Sequence, residues 1–296
     1  MILDKNKITS FILGVLFLAA ILIWLAIFQT GSFASIIGGF NSQPKMKVIF
    51  FDVGQGAATF IEAPNKNQIL IDGGPNSQIL NKLGNEMPFF DRSIDLVILT
   101  HPDIDHLSGL IDVLRNYEVW QIIDPCIKDS SSVYQEWLRL IEEKKITRTC
   151  AQSGQKIRLA ENIELNVLYP LESLEGQSFK NTNISSIVMK LIYGKSKIFL
   201  TGDVEESVEY QLVRSNTDLK SQILQVAHHG SKTSTSQEFI SAVSPETAII
   251  QVGKNNQYKH PHQEVLDRLT GIKIYRTDLD SDIKFLCDLE RCSVRR

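Results

Sequence analysis

The chain has 296 residues, 43% hydrophobic and 22% charged, the balance of a globular protein and not of a disordered one. Its formal charge is −3, so it has no bulk positive field to hold nucleic acid, and a polyanion would have to be held locally, by metal ions or a patch. The length allows one large domain or two small ones.

Phe11 to Phe28 reads FILGVLFLAAILIWLAIF, with no charge and one glycine. As a helix it would rise about 27 Å, close to the ~30 Å hydrocarbon core of a bilayer. Lys5 and Lys7 precede it, and the next basic residue is Lys45. The positive-inside rule then leaves the N-terminus in the cytoplasm and the remainder outside. We therefore expect residues 1–29 to be a single-pass transmembrane anchor or uncleaved signal. A cleaved signal peptide, cut near Ser32-Phe33-Ala34, is the rival reading, but the apolar run exceeds the roughly 7–15 residues of a signal core. Residues 30–45 mix Gly, Ser and Asn with apolar residues and read as a linker.

From Met46 onward the texture is that of short β-branched runs. Strands are expected at Lys47–Val53, Gln68–Ile71, Leu96–Leu99, Val119–Ile123, Ile163–Leu168, Ser186–Ile192, Lys197–Leu200, Ile223–Val226 and Thr247–Val252. Helical spacing lies between them: Ile104, Leu107, Leu110, Ile111 and Leu114 share one face, as do Val204, Val208 and Leu212, and Val265, Leu266 and Leu269. A further helix is expected over Ser132–Lys144. The order predicts an α/β chain with two packed sheets or one mixed sheet.

All six histidines fall in three clusters, His101/His106, His228/His229 and His260/His262, each just after a strand-like run. Strand ends are where α/β folds gather their sites. In His101-Pro-Asp103-Ile-Asp105-His106, four potential ligands occupy six residues, and without a cation such groups would repel or desolvate one another. A helix N-cap accounts for one aspartate and neither histidine. The spacing suits two ions a few ångströms apart. Asp203 follows the run Lys197–Leu200, where a carboxylate can bridge two metals; for it alone an N-cap role would be the simpler reading. Four cysteines complete the inventory. In an exported domain Cys287 can pair with Cys292 if the chain turns between them, leaving Cys126 for Cys150; four buried free thiols are the alternative.

Taken in order, Phe51-Asp-Val-Gly-Gln-Gly56, Ile69-Leu-Ile-Asp-Gly-Gly74, Thr100-His-Pro-Asp-Ile-Asp-His106, Asn183-x-x-Ser186, Phe199-Leu-Thr-Gly-Asp203, His228-His-Gly-Ser231, Tyr258-x-His-Pro261 and Arg276-Thr-Asp278 resemble the metallo-β-lactamase superfamily. More closely, they resemble the extracytoplasmic hydrolase domain of ComEC-type DNA-uptake (competence) proteins. The resemblance implies an αββα sandwich over residues 46–296, with its site at one edge of the two sheets. It implies that His101 and Asp103 hold one metal, that Asp105 and His106 hold the other, and that Asp203 bridges them. It matches His260 to the last metal-binding histidine. His228 and His229 each fit a ligand or a general acid; we take His228 into the ligand set, and Asp105 and His229 as the catalytic pair. Asp103 stands where the superfamily usually has histidine, which hardens the site toward Mn²⁺ at least as much as Zn²⁺. No histidine lies between His106 and His228, and Asn183 is not counted as a ligand. Ala57, Ser108 and Ser281 depart from the family pattern.

The reading is a metal-dependent hydrolase with two divalent ions, a phosphodiesterase or nuclease acting on DNA outside the cytoplasm. A hydrolase of a small exported ester, thioester or lactam is the second reading, and a non-catalytic DNA-binding module the third. The expected partners are the membrane, through the N-terminal helix, single-stranded DNA, and a separate DNA-uptake channel, since one span does not make a channel.

Overall fold

Side chains alternate along the first strand: Met46, Val48 and Phe50 enter one apolar cluster and Ile49 another. A sheet that is apolar on both faces must be covered on both. The computed structural model, which describes residues 13–19, 21, 45–215 and 217–295, meets that demand with four layers.

Its strands are β1 (Met46–Phe50), β2 (Thr59–Glu62), β3 (Gln68–Ile71), β4 (Ser93–Ile98), β5 (Glu118–Asp124), β6 (Thr147–Cys150), β7 (Lys156–Ala160), β8 (Ile163–Tyr169), β9 (Val188–Tyr193), β10 (Ser196–Leu200), β11 (Ile223–Gln225), β12 (Thr247–Ile250), β13 (Lys273–Arg276), β14 (Ile283–Cys287) and β15 (Cys292–Arg295). The helices are α1 (Gln78–Glu86), α2 (Ile104–Asn116), α3 (Ser132–Lys144), α4 (Glu206–Arg214), α5 (Gln237–Val243), α6 (Gln263–Arg268) and the single turn α7 (Thr277–Asp280). One sheet has the order β15-β14-β1-β2-β3-β4-β5-β6 and the other β13-β12-β11-β10-β9-β8-β7. In the first, β3 to β6 run parallel; in the second, β10 to β13 do.

Phe50, Ile61, Ile71 and Ile98 of the first sheet share a buried cluster with Leu165, Met189, Leu191 and Ile198 of the second. On the outer face of the first sheet, Ile79 and Leu83 of α1, Leu107, Leu110 and Leu114 of α2 and Trp137 of α3 cover Ile49, Phe60, Leu70 and Val97. On the second, Val208 and Leu212 of α4 and Phe239 and Val243 of α5 cover Phe199 and Leu224. Each such side chain contributes about 1.5–3 kcal/mol by leaving water. The result is the αββα sandwich that the resemblance implies.

The chain divides into two units, Met1–Pro44 and Lys45–Arg296. Residues 13–19 are helical; residues 1–12, 20 and 22–44, which hold most of the expected anchor and linker, lie outside the described residues. Among the described residues, no helix is long and apolar enough to cross a membrane.

Some elements escape the pattern. The strands β6 (TRTC), β7 (KIRLA), β13 (KIYR) and β15 (CSVR) are charged or exposed along much of their length, as strands at or next to a sheet edge are. α1 buries only Ile79 and Leu83 and carries no apolar run. Ile104 is 63% exposed, a correction to the expected face of α2: as the first helical residue it turns away from the sheet. Both cysteine pairs are disulfides, Cys126–Cys150 and Cys287–Cys292, the latter directly opposite each other in the β14–β15 hairpin. Among the described residues there are no free cysteines.

Candidate metal centre

The parallel strands of both sheets deliver their C-terminal ends to one edge. Asp72 follows β3, Thr100-His101 follows β4 by one buried residue, Asp203 follows β10 and His228-His229 follow β11. α2 then brings His106 back over the end of β3. Its approach is close: a Cβ on Gly109 would lie 1.9 Å from the Gly73 carbonyl oxygen, so glycine is required there.

Asp72 organises this corner. It is 1% exposed, and its carboxylate accepts from Thr100 N at 2.8 Å, Thr100 Oγ1 at 2.8 Å and His106 Nδ1 at 2.8 Å. A carboxylate only accepts, so His106 carries its proton on Nδ1 and presents a lone pair at Nε2. The Thr100 hydroxyl, whose proton goes to Asp72, accepts from His101 Nδ1 at 3.0 Å, which frees His101 Nε2 in the same way. His229 Nδ1 donates to the Gln251 carbonyl at 2.7 Å, freeing its Nε2.

These Nε2 atoms converge with two carboxylates. His106 Nε2 lies 3.3 Å from Asp203 Oδ1, and His229 Nε2 lies 3.2 Å from Asp203 Oδ2 and 3.3 Å from Asp105 Oδ2. His106 and His229 bring their Nε2 atoms within 3.3 Å of each other. His101 Nε2 is buried without a hydrogen-bond partner, 3.8 Å from Asp103 Oδ2. Two candidate cation groups result, His101/His106/Asp203 and Asp105/His106/His229. Lone pairs facing lone pairs and carboxylates are the donor set of a cation, and the two groups meet at His106 beside Asp203.

Capping does not account for the aspartates. Asp103 is the N-cap of α2 by position but makes no side-chain cap bond; its carboxylate accepts from Thr182 Oγ1. The N-cap of α4 is Glu205, two residues past Asp203. Without a cation, the demand for positive charge at this cluster is met by protons on the Nε2 atoms, which a bound metal would displace. Burial pushes His229 down, but Asp203 and Asp105 outweigh it and hold it up to about 10. His106 is raised well above its ordinary range, Asp203 and Asp72 overcoming its burial. Burial would raise Asp203 and Asp105, yet the facing imidazoles hold Asp203 well below the carboxylate range and Asp105 at about 2.

His228 and His229 both have positive φ, 49° and 55°, which costs non-glycine residues roughly 1–2 kcal/mol each. The turn sends His229 into the centre and leaves His228 at its rim, with Nε2 4.0 Å from Asp203 Oδ2. His260 lies behind His228, rings 5.7 Å apart, outside both candidate groups, and stacks on Tyr258 at 5.6 Å. Burial and the neighbouring histidines lower it to about 4. Thus His101, Asp105, His106, Asp203 and His229 come together, Asp103 flanks His101, and His228 and His260 stand at the rim. Sequence analysis assigned no role to Asp72 or Thr100, although Asp72 follows a buried run as Asp203 does.

Residues 51–254 match the family model of the metallo-beta-lactamase superfamily. The chain is 31% identical over 258 residues to ComE operon protein 3 of Bacillus subtilis (strain 168), covering 81% of this chain and 33% of that protein. It is 33% identical over 236 residues to Recombination protein 2 of Haemophilus influenzae, covering 78% and 27%. It therefore spans about a third or less of these relatives. Two solved structures share the fold: the metallo-beta-lactamase fold protein YhfI from Bacillus subtilis, with TM-score 0.54, 12% identity and coverage of 82% and 100%, and CmlA, a diiron beta-hydroxylase from Streptomyces venezuelae, with TM-score 0.50, 13% identity and coverage of 82% and 54%.

Proposed function

The chain belongs to the metallo-beta-lactamase superfamily, as a metal-dependent hydrolase related to competence proteins, and from that premise we propose that it cleaves phosphodiester bonds of DNA outside the cytoplasm. The observation that carries the reading is the convergence of His101, His106 and His229, each with its Nδ1 proton committed elsewhere, on Asp105 and Asp203. His101, Asp103 and Asp203 would hold one divalent ion, and Asp105, His106, His229 and Asp203 the other. Bound ions supply Lewis acidity, making a nucleophile available near neutral pH and offsetting charge on the attacked phosphate. Asp105 would orient the nucleophile, and His228, half-buried at the rim with its Nε2 4.0 Å from Asp203 Oδ2, would stand on the side open to the leaving oxygen. The oxygen-rich set suits Mn²⁺ at least as well as Zn²⁺.

Lys232, Lys254 and Lys259 are exposed around His260 and His262, and Tyr258 is 54% exposed among them. This patch supports the DNA reading despite the chain's net charge of −3: cations meet the backbone while an aromatic ring stacks a base. We read residues 1–29 as the membrane anchor and 46–296 as the extracytoplasmic domain, serving a separate uptake channel; Lys5 and Lys7 and the likeness to competence proteins support this.

The test is turnover by the full chain in detergent with Mn²⁺. Single-stranded DNA and a bis-phosphodiester reporter should both be cleaved, Asp105→Ala and Asp203→Ala should each lose at least about 100-fold, and binding should weaken with salt at a log–log slope near −2 for three lysine contacts, about 0.7 per contact. Turnover of a lactam or thioester without phosphodiester cleavage would move the assignment to a small exported substrate. DNA binding without any turnover would make this a binding module.

A further inference from the structure

On the two-ion reading the first ion has three protein groups, fewer than the roughly six donors of an octahedral hard ion. His101, Asp103 and Asp203 supply three groups, and the sequence has no histidine between His106 and His228. The single-turn 3₁₀ helix Thr182–Ser185 lies at this place. Its neighbours are tied to the ion's surroundings on both sides: Thr182 Oγ1 donates to the Asp103 carboxylate, Asp203 N donates to Ser186 Oγ at 3.2 Å, and Ile187 N donates to Thr100 O at 3.1 Å. Asn183 sits between these ties and is 7% exposed. Its Nδ2 faces the His228 ring, 3.3 Å from Nε2, and its Oδ1 is buried with no hydrogen-bond partner.

We propose that Asn183 Oδ1 is a ligand of the ion held by His101, Asp103 and Asp203. The assignment rests on the two-ion reading. Buried amide oxygens without a partner are uncommon in folded proteins, and the proposed ligand His101 Nε2 is likewise buried without one. With Nδ2 engaged by His228, the side chain's remaining oxygen has a cation as its natural partner. The set becomes one imidazole nitrogen against three oxygens, two from carboxylates and one from a neutral amide. That composition favours hard ions, Mn²⁺ or Mg²⁺, over Zn²⁺.

The experiment uses the full chain in detergent, stripped with chelator and titrated with Mn²⁺. Free ion is read by electron paramagnetic resonance, and Zn²⁺ is then added in competition. The wild-type chain should bind two ions. Asn183→Ala should keep one tight site and weaken the other at least about tenfold. Asn183→Asp, which keeps the oxygen and loses the amide N–H, should still bind two. Asn183→His should bind two and shift preference toward Zn²⁺ by at least about tenfold. Thermal unfolding of the metal-free forms shows whether each variant is folded; if Asn183→Ala is not, the aspartate and histidine variants decide. If Asn183→Ala binds two ions as tightly as wild type, or if Asn183→Asp fails as the alanine does, Asn183 only orients His228 and the assignment is wrong. A wild-type chain binding fewer than two ions would overturn the two-ion reading, and this assignment with it.

Discussion

Three histidines with free Nε2 atoms do not arise by chance packing, because each Nδ1 proton has its own acceptor. Asp72 matters most among these acceptors, since it fixes His106 directly and His101 through the Thr100 hydroxyl. Ligating imidazoles are oriented in this way, and loss of such a partner typically costs 10–100-fold in metal affinity. Asp72→Ala should therefore weaken Mn²⁺ binding by about that factor, measured calorimetrically on the chelator-stripped protein. It should also destabilise the metal-free fold by about 2–4 kcal/mol, because Thr100 N and His106 Nδ1 would be buried without an acceptor. An unchanged Mn²⁺ affinity would show that neither His101 nor His106 depends on Asp72 for its alignment. Sequence reading picked out the residues that converge here, His101, Asp105, His106, Asp203 and His229, because their residue types are costly to bury without a purpose. It passed over Asp72 because a lone aspartate after a strand looks like any turn residue.

At the scale of elements, buried parallel strands were legible as apolar runs and outer helices as apolar stripes, since burial selects those patterns. Edge strands were not, because solvent and neighbouring loops accept almost any side chain there. The β5–α3–β6 corner shows what pattern reading misses: a polar network. Asp124 at the end of β5 is fully buried. It accepts from Trp137 Nε1 of α3 at 2.9 Å, from Cys126 N at 2.9 Å, and from Arg148 of β6 through Nε and Nη2, each at 2.9 Å. Removing one partner of a buried pair leaves the other uncompensated, at a cost of about 3–5 kcal/mol. Asp124→Ala should thus lower the midpoint of thermal unfolding by roughly 10 °C. The double variant Asp124→Leu/Arg148→Met should recover part of that loss, because neither charge then remains buried. If the double variant is less stable than Asp124→Ala alone, the corner is held by shape and not by its ion pair.

For the whole molecule, the sandwich explains why so much of the site could be read and why its last details could not. The converging residues sit just past the C-terminal ends of strands, where local pattern marks them. Which rim histidine turns inward depends on the left-handed turn at His228 and His229, which the two sheets settle jointly and no local spacing encodes. The centre also joins the layers: His101, Asp103, Asp105 and His106 come from the first sheet's loops, Asp203 and His229 from the second's. A cation held by both sets binds the folded chain far better than the unfolded one, so occupancy is linked to stability. Metal at 100 times its dissociation constant should stabilise the domain by about 2.7 kcal/mol for each ion bound, which for a domain near 250 residues raises the unfolding midpoint by roughly 5–10 °C per ion. Chelator should remove that gain. In Asp203→Ala the second layer keeps only His229 and, on the assignment above, Asn183, so most of the Mn²⁺-induced rise should be lost. The metal-free midpoint should fall as well, because Asp203 is the buried counter-charge of His106 and His229. Scanning fluorimetry of both proteins, with and without Mn²⁺, reads the difference directly. An equal rise in the two would mean that the ions bind within one layer, and that Asp203 does not bridge them.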